Sequence, residues 1–197
     1  MLAKDKFLEK ISLILLIANL FFSHNLFAEN ISEKLISYND KLKNSSALFI
    51  QTNQNNIQEG VIFFGNKRIK INYVKPQKLT LILSENKGVY INHELKESQF
   101  FNTKKSYIKF FFDIFHSKKY AEKIKIESYQ NKIEIIEKIN LDNIIYNIKI
   151  IYENEPIKLR KLEIINDDEI IRMGFFEHNI EQAFDKSFFS MIDPYLN

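Results

Sequence analysis

The stretch from Gln58 to Phe101 constrains this chain more than any other, because it reads as five short strands in close succession. The segments are Val61–Phe64, Arg68–Val74, Leu79–Leu83, Gly88–Asn92 and Leu95–Phe101, each rich in β-branched or aromatic residues and parted from the next by two to four turn-type residues. In the second of them Ile69, Ile71 and Tyr73 alternate with Arg68, Lys70 and Asn72. That is the period-2 pattern of a sheet with one wet face. Connections this short join antiparallel neighbours, and the apolar face they create has to be covered by some other part of the chain.

Composition bounds what that other part can be. At 197 residues and 45% hydrophobic content, one globular domain with a sizeable core is expected. The apolar content is unusually aromatic, with 18 Phe and 9 Tyr but no Trp. A formal charge of +3 is too weak and too dispersed for a nucleic-acid partner. The absence of Cys excludes disulfides, thiolate metal sites, a cysteine nucleophile and a lipid-modified N-terminal Cys.

Met1 to Lys10 carries Lys4, Lys6 and Lys10, Ile11 to Phe22 is almost wholly apolar, and Ala28 precedes Glu29. A basic start, a short apolar run and a small residue before a polar one predict a signal peptide over residues 1–28, cut at Ala28-Glu29. The apolar run is short of the roughly 20 residues that span a bilayer. Export would leave residues 29–197 as a single domain. Ile31, Leu35, Tyr38 and Leu42 then recur at helical spacing, which predicts an N-terminal amphipathic helix capped by Asn30 or Ser32. Ala47 to Thr52 predicts the first strand, Asn53 to Asn56 a hairpin turn, and Gly60 a bulge or tight turn.

Between Lys105 and Phe115 the rhythm changes. Tyr107, Ile108, Phe111, Phe112, Ile114 and Phe115 form a broad helical stripe, with Phe110 apolar on the other side. Such a helix must be covered on nearly all sides, either as a plug in the sheet's core or as a lid on an apolar cavity. Strands resume at Lys123–Tyr129, Lys132–Lys138, Asn143–Glu153, Ile157–Ile165 and Glu169–Phe176. The apolar phase slips between Leu159 and Leu162, which predicts a bulge. The expected fold class is mainly β, about eleven antiparallel strands in one strongly curved sheet.

Several residues fall in an order and spacing that resemble a known family. Phe49-x-Gln51 follows the N-terminal helix; then come Gly60-Val61, Arg68-Ile69-Lys70-Ile71-Asn72-Tyr73-Val74-Lys75-Pro76, and Ser84-Glu85-Asn86-Lys87-Gly88 leading into Val89-Tyr90-Ile91-Asn92. This resembles the outer-membrane lipoprotein carrier (LolA) family over residues 31–101, and more diffusely through Phe188-Phe189 to Asp193-Pro194. The resemblance implies an unclosed half β-barrel with a helical lid over its concave apolar face. It also implies a periplasmic carrier that takes lipoprotein acyl chains from an inner-membrane, ATP-driven exporter complex towards the outer membrane, with or without a separate receptor there. The family often has Arg-Pro where this chain has Gly65-Asn66, and that Arg is understood to hold the lid shut. Gly65 cannot do so.

No catalytic constellation accompanies these features. His93, His116 and His178 lie in no metal-ligand spacing, and no G-x-S-x-G or phosphate-cradling glycine loop is present. The expectation is a binding protein that is not an enzyme, monomeric, with no cofactor and no metal. Its acyl-chain site is expected to comprise Phe63, Ile69, Ile71, Tyr73, Leu81 and Val89 from the strands, with Phe111, Phe112 and Phe115 from the lid. Other readings are a periplasmic sensor of lipid or lipoprotein on the same fold, another binder of hydrophobic ligands, a structural β-protein with a filled core, and a lipid hydrolase.

Overall fold

A computed structural model describes residues 25–117, 124–185 and 187–196, with side chains from residue 31 onward. Helix α1 spans Asn25–Leu42 and is followed by β1 (Ser45–Asn53), β2 (Asn56–Gly65), β3 (Arg68–Lys75), β4 (Leu79–Leu83), β5 (Gly88–Asn92) and β6 (Glu97–Phe101). A 3-10 turn at Thr103–Lys105 leads into α2 (Ile108–His116). The chain then continues through β7 (Ile126–Ser128), β8 (Lys132–Leu141), β9 (Ile144–Asn154), β10 (Ile157–Ile165) and β11 (Ile170–Ile180).

All eleven strands belong to one antiparallel sheet in the order β6-β5-β4-β3-β2-β1-β11-β10-β9-β8-β7. It is two meanders joined where β1 pairs with β11, and its edges β6 and β7 leave it unclosed. The link between β6 and β7 therefore passes from one edge of the sheet to the other. That link carries α2, which is why a helix between two strands ends up across the face of a sheet to which it is not hydrogen-bonded.

The inner face and both helices form one core. Ile62, Phe64, Ile69, Ile71 and Leu83 from the first meander share it with Ile133, Ile148, Ile150 and Tyr152 from the second. The predicted helical stripe of α1 is part of it, with Leu35 and Leu42 buried and Ile31 and Tyr38 packed against them. Helix α1 runs through Asn30 and Ser32 rather than beginning after a cap at either, since no Gly or Pro separates Asn25 from Ile31 to stop it. The expected cut at Ala28-Glu29 falls inside this helix, and the remainder of the expected signal peptide, residues 1–24, lies outside the described residues.

Both predicted irregularities are present. In β10 the register against β9 shifts between Leu159 and Lys161, leaving Arg160 as the extra residue. Between β2 and β3 it shifts at Glu59/Gly60. Here the glycine serves close approach: a Cβ at position 60 would stand 2.1 Å from the Asn72 carbonyl oxygen and 2.7 Å from the Phe49 ring.

The outer face has its own cover, which the sequence pattern did not announce. The chain after β11 crosses β2 and β3: Phe63 meets Phe184 and Phe188 edge-on, with centroids 5.9 and 5.0 Å apart. The Lys70 ammonium donates to the Phe188 carbonyl at 3.1 Å and sits 4.2 Å above its ring. Further along, Met191 and Tyr195 close over Ile82, Val89 and Ile91, and the Tyr195 hydroxyl lies 2.8 Å from His93 Nδ1.

Candidate functional site

Four of the residues that carried the family resemblance, Phe49, Gln51, Gly60 and Tyr73, meet in space. Phe49 projects from β1 over Gly60, and the Tyr73 ring packs edge-on against it at 5.2 Å. The Tyr73 hydroxyl donates to Gln51 Oε1 at 3.1 Å, and Gln51 Nε2 donates to Gln58 Oε1 at 2.9 Å. The spacing Phe-x-Gln, Gly and Tyr thus encodes one joint between three strands. Burial raises the pKa of the Tyr73 hydroxyl, so it remains a donor throughout the physiological range.

Helix α2 shares the core with this joint. Phe110, Phe111, Phe112, Ile114 and Phe115 are each between 2% and 6% exposed. Phe115 packs on Phe64 at 5.2 Å and on Phe111 at 4.9 Å, while Tyr107 at the helix start meets Tyr146 of β9 at 5.2 Å. The helix is closed onto the sheet, with its large apolar side chains buried.

Polar contacts fasten its approach and its far end. Thr103, fully buried, donates from Oγ1 to the Glu85 and Ser84 carbonyls at 2.9 and 3.1 Å, which pins the approach to α2 onto the β4–β5 turn. Asn39 Nδ2 of α1 donates to the Ile114 carbonyl at 3.0 Å. At the far end the His116 ring, stacked on Phe112 at 4.4 Å, places Nε2 3.0 Å from the Gly65 carbonyl and Nδ1 3.1 Å from the Phe112 carbonyl. The helix reaches the end of β2 with its own side chain, at the position where no side chain from the strand could reach it.

Burial holds His116 below its ordinary pKa; the Gly65 and Phe112 carbonyls and Asp113 oppose this, and Lys43 adds to it. Were α2 to swing out, the ring would return to water and to a pKa near 6.5. The open form then binds the proton more readily, so closure is fully favoured above that pH and weakens as pH falls through it towards the lowered value. Amide exchange within α2, corrected for its intrinsic rate, is expected to be faster at pH 5 than at pH 7.5, and His116→Gln should remove the difference.

Of the nine residues expected to line an acyl-chain site, seven share the inner core: Ile69, Ile71, Tyr73 and Leu81 from the strands and Phe111, Phe112 and Phe115 from α2. Phe63 and Val89 do not. Residues directly opposite in an antiparallel pair share a face, and Phe63 stands opposite Lys70 while Phe64 stands opposite Ile69. Val89 stands opposite Ile82, and Leu81 opposite Tyr90. Phe63 and Val89 therefore point outward beneath the C-terminal segment. The two-residue turn at Asn66-Lys67, with Lys67 at φ 54°, fixes the first of these registers and was the available signal. The same rule would have found Ile62 and Phe64, which lie inside.

The three described histidines go to separate places: His93 between Thr80 and Tyr195, His116 against Gly65, and His178 against the Leu159 carbonyl. Among the described residues no three His, Asp or Glu side chains converge to hold a metal ion. Nor is any described helix long and apolar enough to cross a membrane.

No protein-family model and no curated protein matches the sequence. Solved structures do match in fold. An uncharacterized conserved protein from Thermus thermophilus superposes with a TM-score of 0.53 at 4% identity, over 85% of this chain and 96% of that one. The complex of Pseudomonas aeruginosa MucA/MucB gives a TM-score of 0.44 at 8% identity, over 82% of this chain and 60% of the matched one. LprF from Mycobacterium bovis gives 0.37 at 10% identity, over 80% of this chain and 97% of that one. The Thermus protein shows a shared fold and nothing beyond it.

Proposed function

We propose that this protein is exported to the periplasm and carries the acyl chains of lipoproteins there, binding them on the inner face of the sheet beneath α2. The observation that supports this most is at α2: five large apolar side chains are held on the inner face of the sheet by a helix that is not hydrogen-bonded into it. Uncovering those side chains costs about 1.5–3 kcal/mol each, on the order of 10 kcal/mol together. Leaving three acyl chains of roughly fifteen CH₂ groups in water costs on the order of 36 kcal/mol at about 0.8 kcal/mol per CH₂. Cargo can therefore displace α2, whereas α2 without cargo stays shut. Loading from the inner membrane would draw on an ATP-driven exporter complex, and delivery would need an outer-membrane acceptor that holds the chains more tightly.

The dense packing of Phe111, Phe112 and Phe115 also fits a permanently filled core. Purified protein added to spheroplasts with labelled lipoproteins separates the two. Label released into the soluble fraction, one lipoprotein per protein and dependent on ATP, is the carrier's signature, and Phe111→Glu should abolish it. Absence of release together with failure to take up a fluorescent apolar probe would mean that α2 is core and the carrier reading is wrong.

A further inference from the structure

The sheet is split at one seam. Strand β10 begins at Ile157 but pairs with β11 only from Lys161 to Ile165, so Ile157–Arg160 and the end of β11 part company. Two side chains meet β10 there at a single residue: the Leu159 N–H donates to the hydroxyl of Tyr38 on α1 at 2.8 Å, and the Leu159 carbonyl accepts from Nε2 of His178 on β11 at 2.8 Å. Because a carbonyl can only accept, Nε2 carries the hydrogen, and the buried Nδ1 is left without a partner.

Between this seam and α1 runs a groove of about 810 Å³, within the range of small-molecule sites. Its floor is apolar: Tyr38, Leu42 and Ile157 belong to the main core, and Ile180 is 49% exposed beside them. Its rim is basic. Lys34, Lys41, Lys158 and Arg160 face a single acid, Glu177. Arg160 is paired with Glu153, but Lys34, Lys41 and Lys158 have no ion pair among the described residues. Three uncompensated ammonium groups around an exposed apolar strip are complementary to one kind of small molecule, with an anionic head and an alkyl tail.

We propose that this groove binds a single-chain anionic amphiphile, its phosphate or carboxylate among Lys34, Lys41 and Lys158 and its chain along Tyr38, Leu42, Ile157 and Ile180. The site does not depend on the carrier reading. It lies on the flank of α1 that carries Lys34, Ser37, Tyr38 and Lys41, whereas α2 meets the flank that carries Ile36, Asn39 and Asp40. His178 gives the site a reporter: burial lowers its pKa, the Leu159 carbonyl opposes this, and Arg160 and Lys158 add to the lowering. A bound anion would raise it.

The test is calorimetric titration of the purified full chain with dodecyl phosphate below its micellar concentration. Dodecyl maltoside supplies the tail with a neutral head, and inorganic phosphate supplies the head alone. Dodecyl phosphate is expected to bind one-to-one and at least tenfold more tightly than either, with the His178 ring resonances moving on binding. Lys41→Glu with Lys158→Glu should weaken it roughly tenfold, and Lys41→Gln with Lys158→Gln by less, with the fold checked by circular dichroism. Equal affinity for dodecyl maltoside would remove the anion site, and equal affinity for inorganic phosphate would reduce it to an adventitious ion only. Binding unchanged in both double variants would place the ligand elsewhere. Phe111→Glu should leave this titration untouched. Loss of binding in that variant would send the amphiphile to the inner face and overturn the groove, while failure of lipoprotein release alone would overturn only the carrier.

Discussion

Truncating Phe115 to alanine is expected to lower the free energy of unfolding by about 3–5 kcal/mol, the range for removing a buried aromatic ring, read as a fall in the urea midpoint at unchanged slope. The ring is 3% exposed and joins Phe111 of the same helix to Phe64 of β2. Its loss therefore leaves a void and also removes a principal attachment of α2 to the sheet. If α2 is a lid, the closed form suffers more than the open one, and an apolar fluorescent probe should bind at least as tightly as to the wild type. If α2 is permanent core, stability falls by the same amount with no probe uptake in either protein. A cost below about 1 kcal/mol would mean that the helix end is not seated on Phe64.

Gly60→Ala should produce the next largest effect, about 2–3 kcal/mol of destabilisation, and the reason is geometric. The added methyl would stand 2.1 Å from the Asn72 carbonyl oxygen, an atom of the β3 backbone, with the Phe49 ring 2.7 Å away on the other side. A side chain can turn aside, but the carbonyl can move only by disturbing the pairing of β2 with β3 at the bulge. Gly174→Ala is the internal control. Nothing lies within 4 Å of its would-be Cβ, and its φ is not positive. There the substitution should be neutral, or stabilise by about 0.5 kcal/mol through the reduced freedom of the unfolded chain. Urea midpoints of the two variants side by side decide the matter, and similar costs at both positions would refute the account of Gly60.

These contrasts explain what could be read from the chain and what could not. The number of strands, the α1 stripe and the bulge after Leu159 rest on local periodicity and turn residues, and the structure has them where the pattern put them. Which side of each strand faces inward depends on pairing across a turn. Strand parity alone does not say which face is concave, and Phe63 and Val89, expected in the site, face outward. The C-terminal cover was invisible for another reason: Phe184, Phe188 and Phe189 follow neither a strand nor a helix period, so only their packing on Phe63 and Gly65 reveals their role. The basic groove is assembled from three distant stretches, 34–45, 156–160 and 177–180, none of which is unusual alone.

The segment on the outer face has a mechanical meaning for the inner one. A curled sheet held only by what fills its hollow would relax as soon as the filling left. Here the curl is braced from behind: Phe184 and Phe188 grip Phe63, the Phe188 carbonyl holds Lys70, and Met191 and Tyr195 grip Ile82, Val89 and Ile91 on the neighbouring strands. With this outer splint in place, the departure of α2 would expose a hollow that keeps its shape. If α2 is a lid, the stiffness of the receptacle and the mobility of its cover belong to different parts of the chain, and either could change without spoiling the other.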